Sequence, residues 1–454
     1  MTGGERQGPA EGSTRSEHFG EEFLGVLLDQ GHELPPHQLG PLVARQISRL
    51  DGRETSIFLQ DYGQVWLVPL PGDGLAAGEP QPIDGSDAGR AFREARPVEV
   101  SQADGVRVYL PLLDGGDQVG VMAVTLDRLQ DDERRLLRRL ASLVADMLVT
   151  KHGYTDLFFR LRRREPMSVA AEIQWSLLPP LAMSTPRVEL AGMLEPAYDV
   201  AGDSFDYALN GDVLHVAMVD AMGHGLDAAT MATVVIGAYR HARRISVGLS
   251  EIYTFMDRAV ADQFGPDHFV TAQMMRLNTA TGRLQWVNAG HPAPLLIRGH
   301  RVVRRLQGPT TLPVGFGGHE PRISEVALIP GDRILCFTDG LIEERDVGGE
   351  EFSEEQLIGW VNRLEPTAQQ IRTVARSLSH TLQRARGGIT TDDATLLLIE
   401  WRGSATDDLA PPGVSRPPTP KERPTARSLS PTADLSHSCC RGGHVTGDRS
   451  VRSA

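Results

Sequence analysis

The sequence predicts an α+β protein in which antiparallel sheets are covered by helices. Two observations carry that expectation. Apolar, strand-length runs occur in neighbouring pairs separated by turn residues, and amphipathic helical stretches occur in consecutive pairs. A doubly wound parallel sheet would instead alternate one strand with one helix. The chain has 454 residues, enough for two or three domains at about 150 residues each. It is 40% hydrophobic and 23% charged, as globular proteins usually are.

Residues 1–19 are rich in Gly, Ser, Glu and Arg with little to bury, and are expected to be disordered. A smaller α/β module follows over 20–150. Runs 56–59 and 65–70 read as a hairpin around Tyr62-Gly63, and runs 106–112 and 119–126 as a second hairpin. A helix opens at Asp131. Along it Leu136, Leu143 and Leu157 share one heptad position, and Leu140, Met147, Tyr154 and Leu161 the other. Such a seam over a helical linker at 131–165 can pair two chains in parallel, or simply pack on the preceding sheet. Thr150 and Gly153 interrupt it.

The largest unit spans 166–402. Val169, Ile173 and Leu177 give a helical period that ends at Pro179-Pro180. Strands are expected at 213–219, 269–277, 284–288, 293–297, 323–328, 333–337 and 394–401, with a hairpin turn at 278–282. Helices are expected at 228–244, 249–263, 354–364 and 367–386. The tail, 403–454, is Pro, Ser, Thr and Arg without periodicity, and reads as disordered.

Composition removes several functions. A formal net charge of −13 argues against a protein built to grip nucleic acid. The longest apolar runs are strand-sized, so no membrane span is expected, and no secretory signal is visible. Three cysteines, Cys336 and the adjacent Cys439 and Cys440, make no disulfide framework. A soluble, cytoplasmic protein is the expectation.

The chemistry lies in aspartates at the ends of apolar runs. Asp220 ends Val-Ala-Met-Val and precedes Ala-Met-Gly-His-Gly; Asp339 ends Ile-Leu-Cys-Phe-Thr and precedes Gly340. Asp203 lies in Gly-Asp-Ser-Phe-Asp, and Asp392 and Asp393 immediately precede the last strand. A strand holds the carboxylate at its end in place. Converging carboxylates repel, and a hard divalent cation relieves the repulsion. All-oxygen ligands without a Cys or His cluster favour Mg²⁺ or Mn²⁺ over Zn²⁺. Asp-Gly after a strand is by itself a turn signal, and His224 and His291 between small residues read equally as turn residues.

In order, Asp203-Ser-Phe-Asp206, Asp220-Ala-Met-Gly-His-Gly225, Asn288-Ala-Gly-His-Pro292, Thr338-Asp-Gly340 and Asp392-Asp-Ala-Thr395 resemble the SpoIIE-type branch of the protein phosphatase 2C family of metal-dependent Ser/Thr phosphatases. The segment 171–180 is similar to the lead-in helix of that branch, and 106–124 is similar to the closing strands of a GAF-type sensor domain. The resemblance implies a C-terminal two-sheet antiparallel β-sandwich flanked by helices, preceded by a GAF-like module and a helical linker. It also implies a site for two ions. Asp220 would bridge both, the Ala221 carbonyl would ligate one, Asp339 and Asp392 would complete one, and Asp203 would hold the other. It leaves open whether Asp206 or Asp393 touches metal. It further implies in-line attack of water on phosphoserine or phosphothreonine, control by the N-terminal module through the lead-in helix, and a phosphorylated anti-sigma-factor antagonist as substrate. Two rivals stand beside it. One is a non-catalytic partner-binding protein of the same fold. The other is an ATP-binding anti-sigma kinase, which gives Asp339 and Asp392-Asp393 no role.

Overall fold

The computed structural model describes residues 11–115, 117–195, 197–199, 202–317, 320–342, 353–363, 371–385 and 393–403; at 11–17 and 382–385 it describes the backbone only. Asp392, Cys439, Cys440 and the tail therefore lie outside the described residues.

The N-terminal part is one six-stranded antiparallel sheet. Its strands are β1 (Arg53–Gln60), β2 (Trp66–Pro69), β3 (Gln81–Pro82), β4 (Val98–Gln102), β5 (Gly105–Asp114) and β6 (Asp117–Leu126), in the order β3-β2-β1-β6-β5-β4. Both expected hairpins form, β1 with β2 and β5 with β6. One face packs on α1 (Glu11–Gly31), α2 (Leu39–Ser48), α4 (Asp131–His152) and α5 (Leu157–Arg162), through Phe23, Leu42, Ile57, Met122, Leu140 and Phe158. The other face packs on α3 (Asp87–Glu94).

Two expectations need correction here. The first helix begins at Glu11, inside the stretch expected to be disordered, because Phe19 and Phe23 give it an apolar face to bury. The 131–165 linker is two helices rather than one. Leu136, Leu140 and Met147 are buried in the module's own core while Tyr154 is exposed, so packing within the chain accounts for the first half of the heptad period.

The C-terminal part has four layers. Sheet order β15-β12-β11-β10-β9 comprises β9 (Asp203–Asn210), β10 (Val213–Ala221), β11 (Val270–Asn278), β12 (Arg283–Ala289) and β15 (Thr310–Thr311), with β16 (Ser324–Ala327) also on β12. The facing sheet, β14-β13-β17-β18-β8-β7, comprises β7 (Ala182–Ser184), β8 (Val188–Glu195), β13 (Leu295–Arg298), β14 (Arg301–Arg305), β17 (Asp332–Phe337) and β18 (Ala394–Trp401). Phe205, Val216, Met218, Trp286, Ile334 and Leu397 fill the space between the sheets. On β10 the intervening residues Ala217 and Val219 point outward, as the two-residue period requires, onto α7 (Gly225–Arg244) and α8 (Leu249–Phe264). The other outer face packs on α9 (Glu354–Val361) and α10 (Ile371–Ala385). The lead-in helix α6 (Val169–Leu177) runs beside α7, with Ile173 and Leu177 half-buried against that outer layer. A two-sheet sandwich flanked by helices is thus present, antiparallel except where the short β15 joins β12 in parallel. Strands β7, β8, β9, β14 and β15 were not expected. Cys336 is a buried free thiol inside the sandwich. Among the described residues no helix is long and apolar enough to cross a membrane.

His215, on the outward face of β10, is only 6% exposed. Burial, with Arg276 and Arg243 nearby, pulls its pKa down to about 4. Below about pH 6.5 the unfolded chain takes up a proton here that the folded chain refuses, so stability is lost as pH falls from there through about 4. His215→Gln should flatten that part of the melting temperature against pH, measured by circular dichroism. An unchanged slope would assign the acid sensitivity to other groups.

Candidate metal and active site

Four backbone segments meet at one end of the sandwich. Asp203 opens β9 and Asp220 lies near the end of β10, and the two face each other directly in the β9–β10 ladder. Thr338 and Asp339 follow β17, and Asp393 precedes β18, in the opposing sheet. Asp203 is almost fully buried; Asp220, Asp339 and Asp393 are half-buried.

Thr338 ties the sheets together. Its Oγ1 donates to Asp203 Oδ2 at 2.6 Å and accepts from the Thr395 N–H at 2.9 Å. Asp393 Oδ2 accepts from the backbone N–H of Gly202 at 2.6 Å and of Asp203 at 3.3 Å. One oxygen of Asp393 therefore positions the start of β9. Burial pushes the Asp203 carboxyl well above the usual carboxylate range, and the charges of Asp220 and then Asp393 push it further; the Thr338 hydrogen bond opposes both. Three carboxylates thus act on one another across the sandwich end.

The loop after β10 is shaped by glycine. Gly223 and Gly225 have φ of +91° and +72°, a region that favours glycine, and the turn they make leads directly into α7. Gly202 lies against the same loop, where a Cβ would stand 2.7 Å from the Ala221 carbonyl oxygen. Gly202→Ala must therefore displace that carbonyl or the start of β9. Turnover is expected to fall by roughly 100-fold, the scale of an ångström-sized misplacement, and the melting temperature to fall as well, because backbone has to give way. Wild-type turnover in this variant would remove the Ala221 carbonyl from the site.

Other motif residues have structural partners. Asp206 lies three residues beyond Asp203 and so points to the opposite face of β9. There it is buried and ion-paired to Arg240 at 2.9 Å and Arg243 at 2.7 Å, both on α7. It belongs to the β9–α7 packing and not to the carboxylate group. Asn288 accepts from the His291 N–H at 3.0 Å and donates to the His291 carbonyl at 2.6 Å, closing the Asn-Ala-Gly-His loop on itself. The buried His291 ring contacts Thr271 at 2.8 Å, and burial lowers its pKa to about 3. His224 is exposed at the start of α7.

Sequence reasoning missed Gln174. From α6 its Nε2 donates to the backbone carbonyl of Asp203. Trp175 Nε1 donates to the Ala197 carbonyl at 2.7 Å, and Arg240 donates to the Leu177 carbonyl at 2.6 Å. The lead-in helix is thus bonded to the backbone that carries Asp203.

Residues 210–402 match the family described as Stage II sporulation protein E (SpoIIE). That match covers 193 of the chain's 454 residues (402 − 210 + 1), so it sets this segment, and not the whole chain, beside the SpoIIE family. Asp220, Ala221, Asp339, Asp392 and Asp393 fall inside this SpoIIE segment, and Asp203 stands just before it. The chain is 27% identical over 194 residues to the phosphoserine phosphatase RsbP of Bacillus subtilis, covering 41% of this chain and 47% of RsbP. It is 20% identical over 187 residues to phosphoserine phosphatase RsbU of the same organism, covering 41% and 56%. The chain thus spans about half the length of these relatives. The SiaA-PP2C domain of Pseudomonas aeruginosa is 21% identical, with 51% of this chain and 94% of that domain covered at a TM-score of 0.44.

Among the described residues no group of three His, Cys, Asp or Glu side chains is gathered closely enough to hold an ion. The residues nonetheless suit one. The donors are all oxygen, and Asp203 is buried beside carboxylates whose charges reinforce one another.

Proposed function

We propose that the chain is a metal-dependent protein serine/threonine phosphatase. The observation that carries this reading is the buried Asp203, paired across the ladder with Asp220 and raised in pKa by Asp220 and Asp393. A fold places such a group at the rim of a sandwich, at a cost in charge repulsion, where a cation is to be held. Asp203, Asp220, the Ala221 carbonyl, Asp339, Asp392 and Asp393 would hold Mn²⁺ or Mg²⁺. Bound there, the ions supply the acidity that makes water a nucleophile near neutral pH and offset charge on the phosphoryl oxygens. The chain's own part is to fix geometry. Thr338 orients the Asp203 carboxylate, Asp393 holds the backbone of Gly202 and Asp203, and the Gly223–Gly225 turn presents the Ala221 carbonyl.

The substrate in this reading is a phosphoserine- or phosphothreonine-bearing regulatory protein, of the anti-sigma-factor antagonist kind. The phosphoserine part of this reading is supported by the names of RsbP and RsbU as phosphoserine phosphatases. Control would come from the N-terminal sheet acting as a GAF-like sensor. Tyr62, after β1, packs on Trp175 of α6 with ring centroids 4.8 Å apart, and the neighbouring Gln174 bonds to Asp203.

The test is hydrolysis of p-nitrophenyl phosphate by the full chain with and without Mn²⁺. Asp220→Asn and Asp339→Asn are each expected to lose turnover by roughly 100-fold or more, the scale of removing one preorganised electrostatic group. No turnover with Mn²⁺ from a chain that still melts cooperatively would favour a non-catalytic partner-binding role, and turnover that ignores Mn²⁺ or survives in both variants would place catalysis outside these carboxylates.

A further inference from the structure

A cavity of about 340 Å³ lies where the N-terminal sheet meets the lead-in helix, within the size range of small-molecule sites. Its walls come from β1 and the residue Tyr62 beyond it, from β6 through Asp117, Gln118 and Val119, and from α4, α5 and α6. Tyr62 stands after β1, His152 ends α4, Phe158, Phe159 and Arg162 belong to α5, and Trp175 belongs to α6. His152 stacks on Phe159 with centroids 4.1 Å apart, and the Arg162 guanidinium lies 4.6 Å from the Tyr62 ring centre. Burial, and then Arg162, lowers the His152 pKa to about 4, so at neutral pH the ring is an uncharged, flat wall.

A second pocket of about 60 Å³ shares Gln60, Asp117, Gln118 and Leu181 with the first, and Arg93, Arg372 and Arg376 line it. Arg376 is only 6% exposed. Its Nη1 donates to the Gln64 carbonyl and its Nη2 lies 3.8 Å from Asp84, but Nε and Nη2 make no hydrogen bond. A buried guanidinium with unsatisfied N–H groups is costly unless something accepts from them. Among the described residues, Asp117 is the one carboxylate lining either space, against four arginines.

We propose that this junction binds a small planar aromatic anion, its ring among Tyr62, His152, Phe159 and Trp175 and its anionic group toward Arg162 and Arg376. Flat rings match the stacked aromatic walls, and an acidic group supplies the missing acceptor. No other described feature joins an aromatic box of this size to a buried cation with unsatisfied donors.

The probe is anilinonaphthalene sulfonate, an anion with a flat naphthalene ring, compared with its uncharged parent phenylnaphthylamine; both are followed by fluorescence on the full chain. One saturable site per chain is expected for the sulfonate. Ser176→Trp, from the exposed side of α6, and Val119→Trp, from β6, each fill the cavity and should weaken that binding at least roughly tenfold. Arg376→Gln should weaken the sulfonate by roughly tenfold, as loss of one charge-assisted hydrogen bond does, and leave the uncharged dye within about twofold. Absence of a saturable site, or binding untouched by either filling variant while it still melts cooperatively, overturns the proposal. Equal weakening of both dyes by Arg376→Gln overturns the anion. Dye binding is read without turnover, so its failure leaves the phosphatase reading standing.

Discussion

Asp203→Asn is expected to raise the melting temperature of the metal-free chain and to abolish its stabilisation by Mn²⁺. In the wild type the Asp203 carboxylate is buried opposite Asp220, and burial together with Asp220 and Asp393 disfavours its charge. Asparagine has the shape of the neutral acid. Its carbonyl can still accept from the Thr338 hydroxyl, and its amide adds a donor beside neighbouring carboxylates. Relief of one buried like charge is worth about 2 kcal/mol, the scale of a hydrogen bond to a charged group, or roughly 4–8 °C for a domain of this size. The same substitution removes the anionic ligand, so the rise in melting temperature that Mn²⁺ gives by mass action disappears. Differential scanning fluorimetry at pH 8, with chelator and then with Mn²⁺, reads both effects. A metal-free variant less stable than wild type would refute the repulsion. A retained Mn²⁺ shift would remove Asp203 from the ligands.

Legibility of these residues in the sequence follows from how local their reasons are. Strand β10 is apolar throughout its centre and ends at a carboxylate followed by a glycine turn, so the strand, its end and Asp220 can all be read from nine consecutive residues. The same holds for β17 and Asp339. Strand β9 is different. It reads Asp-Ser-Phe-Asp-Tyr-Ala-Leu-Asn, and two aspartates oppose strand propensity. What overrides propensity is distant. Thr338, which bonds Asp203, lies 135 positions away, and Arg240 and Arg243 lie on a helix not yet formed when β9 is read alone. Strand β8 hides in the same way. Its Gly192 lowers strand propensity, yet a Cβ there would stand 2.4 Å from the Phe205 ring, so the glycine is what lets the two sheets close. The heptad in 131–161 carries two readings from sequence alone, pairing of two chains or packing on the preceding sheet. Its period is real, but a leucine stripe records only that one face is buried, and here the burying partner is the module's own sheet.

Asp206→Asn is expected to act in the opposite sense to Asp203→Asn, although the two residues share one strand. Asp206 is 1% exposed and bonds Arg240 through Oδ1 and Arg243 through Oδ2. Arg243 is itself only 7% exposed, so removing the carboxylate leaves a buried guanidinium without its counter-charge. Breaking a buried pair from one side costs about 3–5 kcal/mol, and two arginines depend on this one residue. Urea unfolding should therefore show the unfolding free energy falling by that much, through a lower midpoint and without a change in slope. Because Asp206 faces α7 and not the carboxylate group, the Mn²⁺-induced rise in melting temperature should survive. Where the variant proves too unstable to purify, Arg243→Met tests the same pair, and its loss should be smaller because Arg240 still neutralises Asp206. If Asp206→Asn is neutral in stability but loses the Mn²⁺ shift, Asp206 belongs to the metal site after all. The two carboxylates differ by an odd number of positions. That alone puts one among like charges at the sandwich rim and the other between two cations beneath a helix.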